Sequence, residues 1–223
     1  MAVRSSSYQI TATPVIIFAH LLVIAITTLL LVWLLHFREG ISFNSDDKEK
    51  IFNLHPFFMV LGLVLLAGEG IMVYKSVPAT RQTHKVFHLI LLFIALVFGI
   101  LGIYAVFKFH DERGEPHMVT LHSWIGISTI CLFGLQWLFS FFAFFSPGTQ
   151  MSTRANLAPW HMFLGTAIFF MIIVTAEMGL VQRFIILGLG RSQEALIVNF
   201  TGLLILLFAI SVGFSILLPR AHY

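Results

Sequence analysis

Six long apolar runs, at about 15–36, 52–74, 86–107, 119–145, 159–180 and 195–218, set the terms on which this chain can fold. A helix needs about 20 apolar residues to cross the hydrocarbon layer of a bilayer, and each run is long enough. Backbone left open in lipid carries amides and carbonyls that nothing satisfies, so such runs are helices unless they close a barrel. Barrel strands would alternate apolar and polar residues over about 10 positions, and these do not. The breaks between runs are short and polar: REGISFNSDDKEK, KSVPATRQTHK, KFHDERGEPH, SPGTQMSTRANLAP and QRFIILGLGRSQE. The expected fold is an all-α membrane protein of six transmembrane helices, one domain over residues 1–223 embedded in a lipid bilayer. The first run is too long for a signal-peptide core and is expected to stay as a helix.

The polar remainder excludes several chemistries. Charged residues make up only 10% of the chain and form no dense basic block, so a nucleic-acid partner is not expected. No phosphate-binding glycine loop occurs, and no nucleotide cofactor has room to bind; any reductant must come from another molecule. Cys131 is the single cysteine, which removes intrachain disulfides, iron–sulfur clusters and covalent haem attachment. The charges sort by side. Arg4, Lys75, Arg81, Lys85, Arg154 and Arg220 fall on one side of the membrane; Arg38, Lys48, Lys50, Lys108, Arg113, Arg183 and Arg191 fall on the other. Counting Lys and Arg does not set the orientation. The acids Glu39, Asp46, Asp47, Glu49, Asp111, Glu112, Glu115 and Glu194 all lie on the second side. The acid-free side, with both termini, is therefore expected to face the cytosol.

Histidine is in surplus: the chain has 10, as many as Asp and Glu together. Four recur once per apolar run, His55, His88, His122 and His161 in the second to fifth, each expected near the N-terminal end of its helix. Consecutive helices run antiparallel, so His55 and His122 share one leaflet, and His88 and His161 the other. Two pairs of imidazoles at two depths inside a central four-helix bundle (helices 2–5) match what bis-histidine ligation of two b-type haems requires. A helix of about 24 residues rises about 35 Å, which leaves about 22 Å between the two metals. Gly126 and Gly165 follow His122 and His161 by one turn, and Gly62, Gly99 and Gly102 recur on the histidine faces of their helices. There they would let a flat macrocycle approach the backbone. A different class of protein, a haem-free proton-coupled transporter with histidine relays, would use the same residues as hydrogen-bonded contacts.

The ladder and its local sequences resemble the cytochrome b561 family. VTLHSW surrounds His122, NLHPFFM surrounds His55 and His161 stands early in the fifth helix; one segment departs, the family's ALLVYR type appearing here as GIMVYKSVP, which keeps only Val73, Tyr74 and a basic residue, Lys75. The resemblance covers essentially the whole chain. It implies two non-covalent b haems, cytosolic ascorbate as donor, and monodehydroascorbate or a ferric chelate as acceptor on the far side. It also implies cytosolic termini, a homodimer, and a eukaryotic endomembrane (vacuolar or vesicle) or plasma membrane. Ascorbate is an anion, so its site is expected among Arg81, Lys85 and Arg154 of the acid-free loops, with Asn156 for hydroxyl contacts. On the opposite side His110 is the candidate for the acceptor, with Lys108 and Arg113 to attract an anion. His117 is placed to contact a haem propionate and His84 the haem surface, His36 is read as interfacial, and His20 as a buried structural residue. Glu69 and Glu177 are intramembrane carboxylates and thus functional candidates, with no partner identifiable in the sequence.

Overall fold

The computed structural model describes residues 11–219. Six helices carry them: α1 Thr13–Phe37, α2 Lys48–Ser76, α3 Arg81–Arg113, α4 Leu121–Phe145, α5 Met151–Ile186 and α6 Gln193–Leu217. No strand occurs among the described residues. Two of the helices widen locally. The last turn of α1, Trp33–Phe37, and the middle of α2, Met59–Leu66, are π-helical, a form that fits extra residues into a turn and is frequent at functional sites.

The helix starts are set by caps rather than by hydrophobicity. Asp47 accepts a hydrogen bond from the Glu49 amide (3.0 Å), Thr80 from Thr83 (3.2 Å), Thr120 from Ser123 (3.3 Å) and Ser192 from Ala195 (3.0 Å). Each satisfies one of the amides that a helix start leaves open. Several helices consequently run past their apolar stretches. α2 begins at 48 rather than 52, α3 at 81 rather than 86, and α5 spans 151–186 rather than 159–180, passing through Pro159. This corrects the expected position of the ladder. His122 is the second residue of α4, but His55 and His88 stand two turns into α2 and α3, and His161 nearly three turns into α5. Arg, Lys, Gln and Glu are good helix formers, so the polar turns outside the lipid stay helical.

α2 packs on α3, α3 on α4, α4 on α5, and α5 back on α2, closing a four-helix ring. α1 and α6 pair with each other and lean on this ring through α2 and α5. α2 is the most enclosed helix. The densest packing lies where it meets α1 and α6, around Ile26, Leu30, Trp33, Met72, Ile205 and Phe208. Large apolar side chains such as Leu135, Phe139, Phe163 and Ile210 point outward, the distribution of a protein whose solvent is lipid. One face carries ion pairs between helix ends: Lys48–Glu112 (2.7 Å), Arg113–Glu49 (3.0 Å), Arg38–Glu194 (2.8 Å) and Arg183–Glu49. At the other face the Ala12 amide donates to the Pro219 carbonyl (2.9 Å), and Lys75 donates to Ile216 (3.2 Å) and Leu218, capping the C-terminal end of α6. The two described chain ends therefore meet on the acid-free face. Arg4 and Arg220, counted toward its charge, lie outside the described residues.

Candidate functional site

The four ladder histidines meet in two pairs. The rings of His55 (α2) and His122 (α4) have centres 6.0 Å apart, and those of His88 (α3) and His161 (α5) are also 6.0 Å apart. Metal–imidazole bonds are about 2 Å long, so this spacing fits one ion between two rings, whose planes lie at 87° and 78° in the two pairs. Second partners fix each ring. His55 Nδ1–H donates to the Gly102 carbonyl (3.0 Å), His122 Nδ1–H to Thr175 (3.0 Å) and His88 Nδ1–H to Gly70 (2.8 Å). A carbonyl can only accept, so these bonds put the proton on Nδ1 and leave the Nε2 lone pair for a metal. His161 Nδ1 bonds instead to the Ser140 hydroxyl (2.9 Å), while Gln136 holds the His161 carbonyl (2.8 Å).

Each pair lines its own cavity, about 250 Å³ for His55/His122 and about 440 Å³ for His88/His161. A water takes up about 30 Å³, so both spaces suit a much larger group. Their walls are mostly apolar, with Met59, Leu63 and Ile130 in the first and Leu92, Phe144 and Ile168 in the second. Glycines open them where expected at Gly126 and Gly165, and also at Gly179. A methyl on Gly179 would stand 2.8 Å from His122 Cε1. Gly62, Gly99 and Gly102 act otherwise than the sequence led us to expect. A Cβ on Gly62 would come 2.4 Å from that of Phe98, and one on Gly99 2.7 Å from Ile130. Their role is close helix contact, and Gly102 serves the site through its carbonyl. No cluster of three or more metal-ligating side chains occurs among the described residues. Two protein nitrogens with an apolar slot between them suit a metal that brings its remaining ligands in a planar macrocycle, and the residues present fit a b-type haem.

The expected substrate residues divide. Lys85 and Arg81 line the second cavity with Tyr74, whose ring centre lies 5.5 Å from that of His88. Lys85 also feels the charges of Arg154 and Arg81. Arg154 does not line the cavity and donates to the Ser146 carbonyl (2.7 Å), and Asn156 is exposed outside it. His84 is buried and ties down the Val77 carbonyl (2.7 Å) rather than facing the cavity. At the first cavity His110 and His117 line the mouth with ring centres 5.5 Å apart. His117 stacks on Phe107 (4.6 Å) and bonds Asp111 (2.8 Å). Lys108 is engaged by Phe43, Asn44 and Glu112, and Arg113 by Glu49 and Glu115, so neither is a free anion attractor.

His20 is half exposed rather than buried and bonds Glu69 (2.8 Å), the partner that the sequence withheld. Glu177 lies against Gly202 of α6, with Oε1 buried and unpartnered. His36 is exposed at the end of α1. Sequence reading overlooked the carbonyl partners, which carry no side-chain signal, and Gly179. It also overlooked Gln136 and Ser140, polar residues one turn apart in an apolar run that do carry one, and Arg183.

The chain matches the profile described as Eukaryotic cytochrome b561 over residues 54–187, a stretch that includes all four ladder histidines. It is 45% identical to the Probable ascorbate-specific transmembrane electron transporter 1 of Oryza sativa subsp. japonica, over 93% of this chain and 91% of that protein. It is 40% identical to Transmembrane ascorbate ferrireductase 1 of Arabidopsis thaliana (93% and 87% covered). With a Transmembrane ascorbate-dependent reductase of Ovis aries the identity is 36% (92% and 82% covered).

Proposed function

This chain belongs to the eukaryotic cytochrome b561 family, and on that premise we propose that it moves single electrons across a membrane through two bis-histidine b haems. It is an integral membrane oxidoreductase, and the relatives' names support ascorbate as the donor. The proposed acceptor is monodehydroascorbate or a ferric chelate on the opposite side. The observation that carries the reading is the geometry of the two imidazole pairs: rings 6.0 Å apart in each, both in apolar cavities.

His55 and His122 would hold the haem on the acid-rich side, and His88 and His161 the one on the acid-free side. A haem held there by two histidines would supply a one-electron ferric/ferrous couple and would leave little room for oxygen at the iron. The chain contributes position and polarity. The bonds to the Gly102, Thr175 and Gly70 carbonyls hold three of the rings in one tautomer and raise their basicity, and Ser140 positions the His161 ring. Apolar walls keep water from the centres. Lys85 and Arg81, at the mouth of the second cavity, would draw ascorbate, with Arg154 and Asn156 at its outer edge. His110 would meet the acceptor at the mouth of the first. The absence of acids on the side of the His88/His161 cavity supports cytosolic termini and a cytosolic donor. We read residues 1–223 as one functional unit, working as a homodimer in an endomembrane (vacuolar or vesicle) or the plasma membrane.

A dithionite-reduced visible spectrum with haem quantification tests the cofactor; two b haems per chain are expected. Colourless purified protein would instead favour the haem-free proton-coupled transporter. Vesicles loaded with ascorbate should reduce an external ferric chelate only when the protein is present.

A further inference from the structure

Arg183, near the C-terminal end of α5, is the most deeply buried Lys or Arg among the described residues and has no task in the scheme above. It is 6% exposed and lines the first cavity. The face of its guanidinium lies 4.1 Å over the Phe52 ring, and one edge, through Nη2, meets Glu49. Beside that contact Nε is buried and has no hydrogen-bond partner. Glu49 does not belong to Arg183 alone, since its second oxygen takes Arg113 at 3.0 Å. Arg113 has Glu115 as a further partner (2.7 Å), and Arg183 has none. A second buried nitrogen without a partner, His117 Nδ1, lines the same cavity.

A buried N–H left unpaired costs free energy, more so on a charged group. Arginine has donors only, in a planar fork that matches a carboxylate. From this geometry we infer that Arg183 binds the carboxylate of a ligand seated in the first cavity. That carboxylate has two sources, a propionate of a haem held by His55 and His122, or an acceptor complex that carries carboxylates to the mouth. Phe52 and Glu49 hold the guanidinium in place for it. The inference deepens the functional reading above and rests on it for the haem.

The test uses full-length, haem-loaded protein carrying Arg183→Gln, Arg183→Lys or Glu49→Gln. Three quantities are read: the resonance Raman propionate-bending band, the midpoint potential of each haem, and the ferric citrate concentration that half-saturates reoxidation. If the ligand is a propionate, Arg183→Gln shifts the Raman band and lowers the potential of the first-cavity haem, because a positive charge beside a haem favours the reduced state. Half-saturation then stays put. If the ligand is the acceptor, half-saturation rises about fivefold and the Raman band does not move. Glu49→Gln should move the affected quantity the opposite way, since it frees Arg183 from a competing carboxylate. A purely structural ion pair would change stability and, through the lost charge alone, the potential, but neither the band nor half-saturation. Folded Arg183→Gln with band and half-saturation both unchanged would overturn the inference. Arg183→Lys serves if the glutamine variant does not fold, and is expected to keep the potential but to shift the Raman band or weaken the citrate affinity. Wild-type protein that takes up no haem would instead fail the functional reading, and this inference with it.

Discussion

Single atoms decide whether each cavity works. Gly179 is the sharpest case, since a methyl there would stand 2.8 Å from His122 Cε1, well inside contact distance. The ring would have to turn, breaking its bond to the Thr175 carbonyl (3.0 Å) and moving Nε2 off axis. Gly179→Ala is therefore expected to lose the haem of the His55/His122 site and keep the other, as read from haem stoichiometry and the split of the reduced spectrum. Two haems of wild-type character in that variant would refute the role. At the second cavity the charges differ in reach. Lys85 lines the mouth, whereas Asn156 is exposed outside it. A part-exposed charge pair is worth about 1 kcal/mol, about a fivefold change in affinity. Lys85→Gln should raise the ascorbate concentration that half-saturates haem reduction by that factor, and Asn156→Ala, at the outer edge, should raise it less. The ladder itself was legible because histidine in an apolar run is rare and costly, so four at regular spacing stand out. The carbonyls of Gly70, Gly102 and Thr175 were not legible, since every residue has one and only packing selects which meets a ring.

Among the elements, α2 does the most. It carries His55 toward one face and the Gly70 carbonyl that orients His88 toward the other, with the π-helical stretch Met59–Leu66 between them. Each residue of an α-helix turns the chain by about 100°, so the π stretch sets the angle between these two groups. Deleting Leu61 should let the stretch relax toward α geometry and swing His55 away from Gly102 and His122. The variant is expected to keep the His88/His161 haem and lose its partner; retention of both would show that the π stretch does not fix the register. Gly62 works in the same region, because its missing side chain lets Phe98 of α3 approach where a Cβ would clash, and so brings Gly102 within reach of His55. The six helices were readable from apolar runs because lipid leaves the backbone no alternative. Their ends were not, since Asp47, Thr80 and Ser192 cap helices in polar sequence where hydropathy is blind. The π turns left no trace in the apolar pattern, because a segment buried on most sides has no polar face to reveal its period.

Across the whole molecule the two cavities form a series, and only a series connects one face of the membrane to the other. Ile172 lines both and is 4% exposed, so a single side chain of α5 stands in each wall. Arginine and lysine mark the outer end of one cavity, and histidines with an ion-pair network mark the other. Flow between the faces then needs both centres, but uptake from the donor needs just one. This separates two variants that a simple activity assay would confuse. In vesicles loaded with ascorbate, both His122→Ala and His161→Ala are expected to abolish reduction of an external ferric chelate. In rapid mixing with ascorbate at the acid-free face, His122→Ala should still show reduction of the one remaining haem, because His88 and His161 are intact. His161→Ala should show no fast phase, its remaining centre lying at the far end of the series. Each variant should also melt earlier than wild type, since a ligand bound only by the folded state stabilises it by mass action. If His122→Ala lost the fast phase and His161→Ala kept it, the donor would dock beside His55 and His122, and the assignment of the acid-free face to the cytosol would have to be reversed. If both variants still supported transmembrane transfer, the two cavities would not lie in series at all.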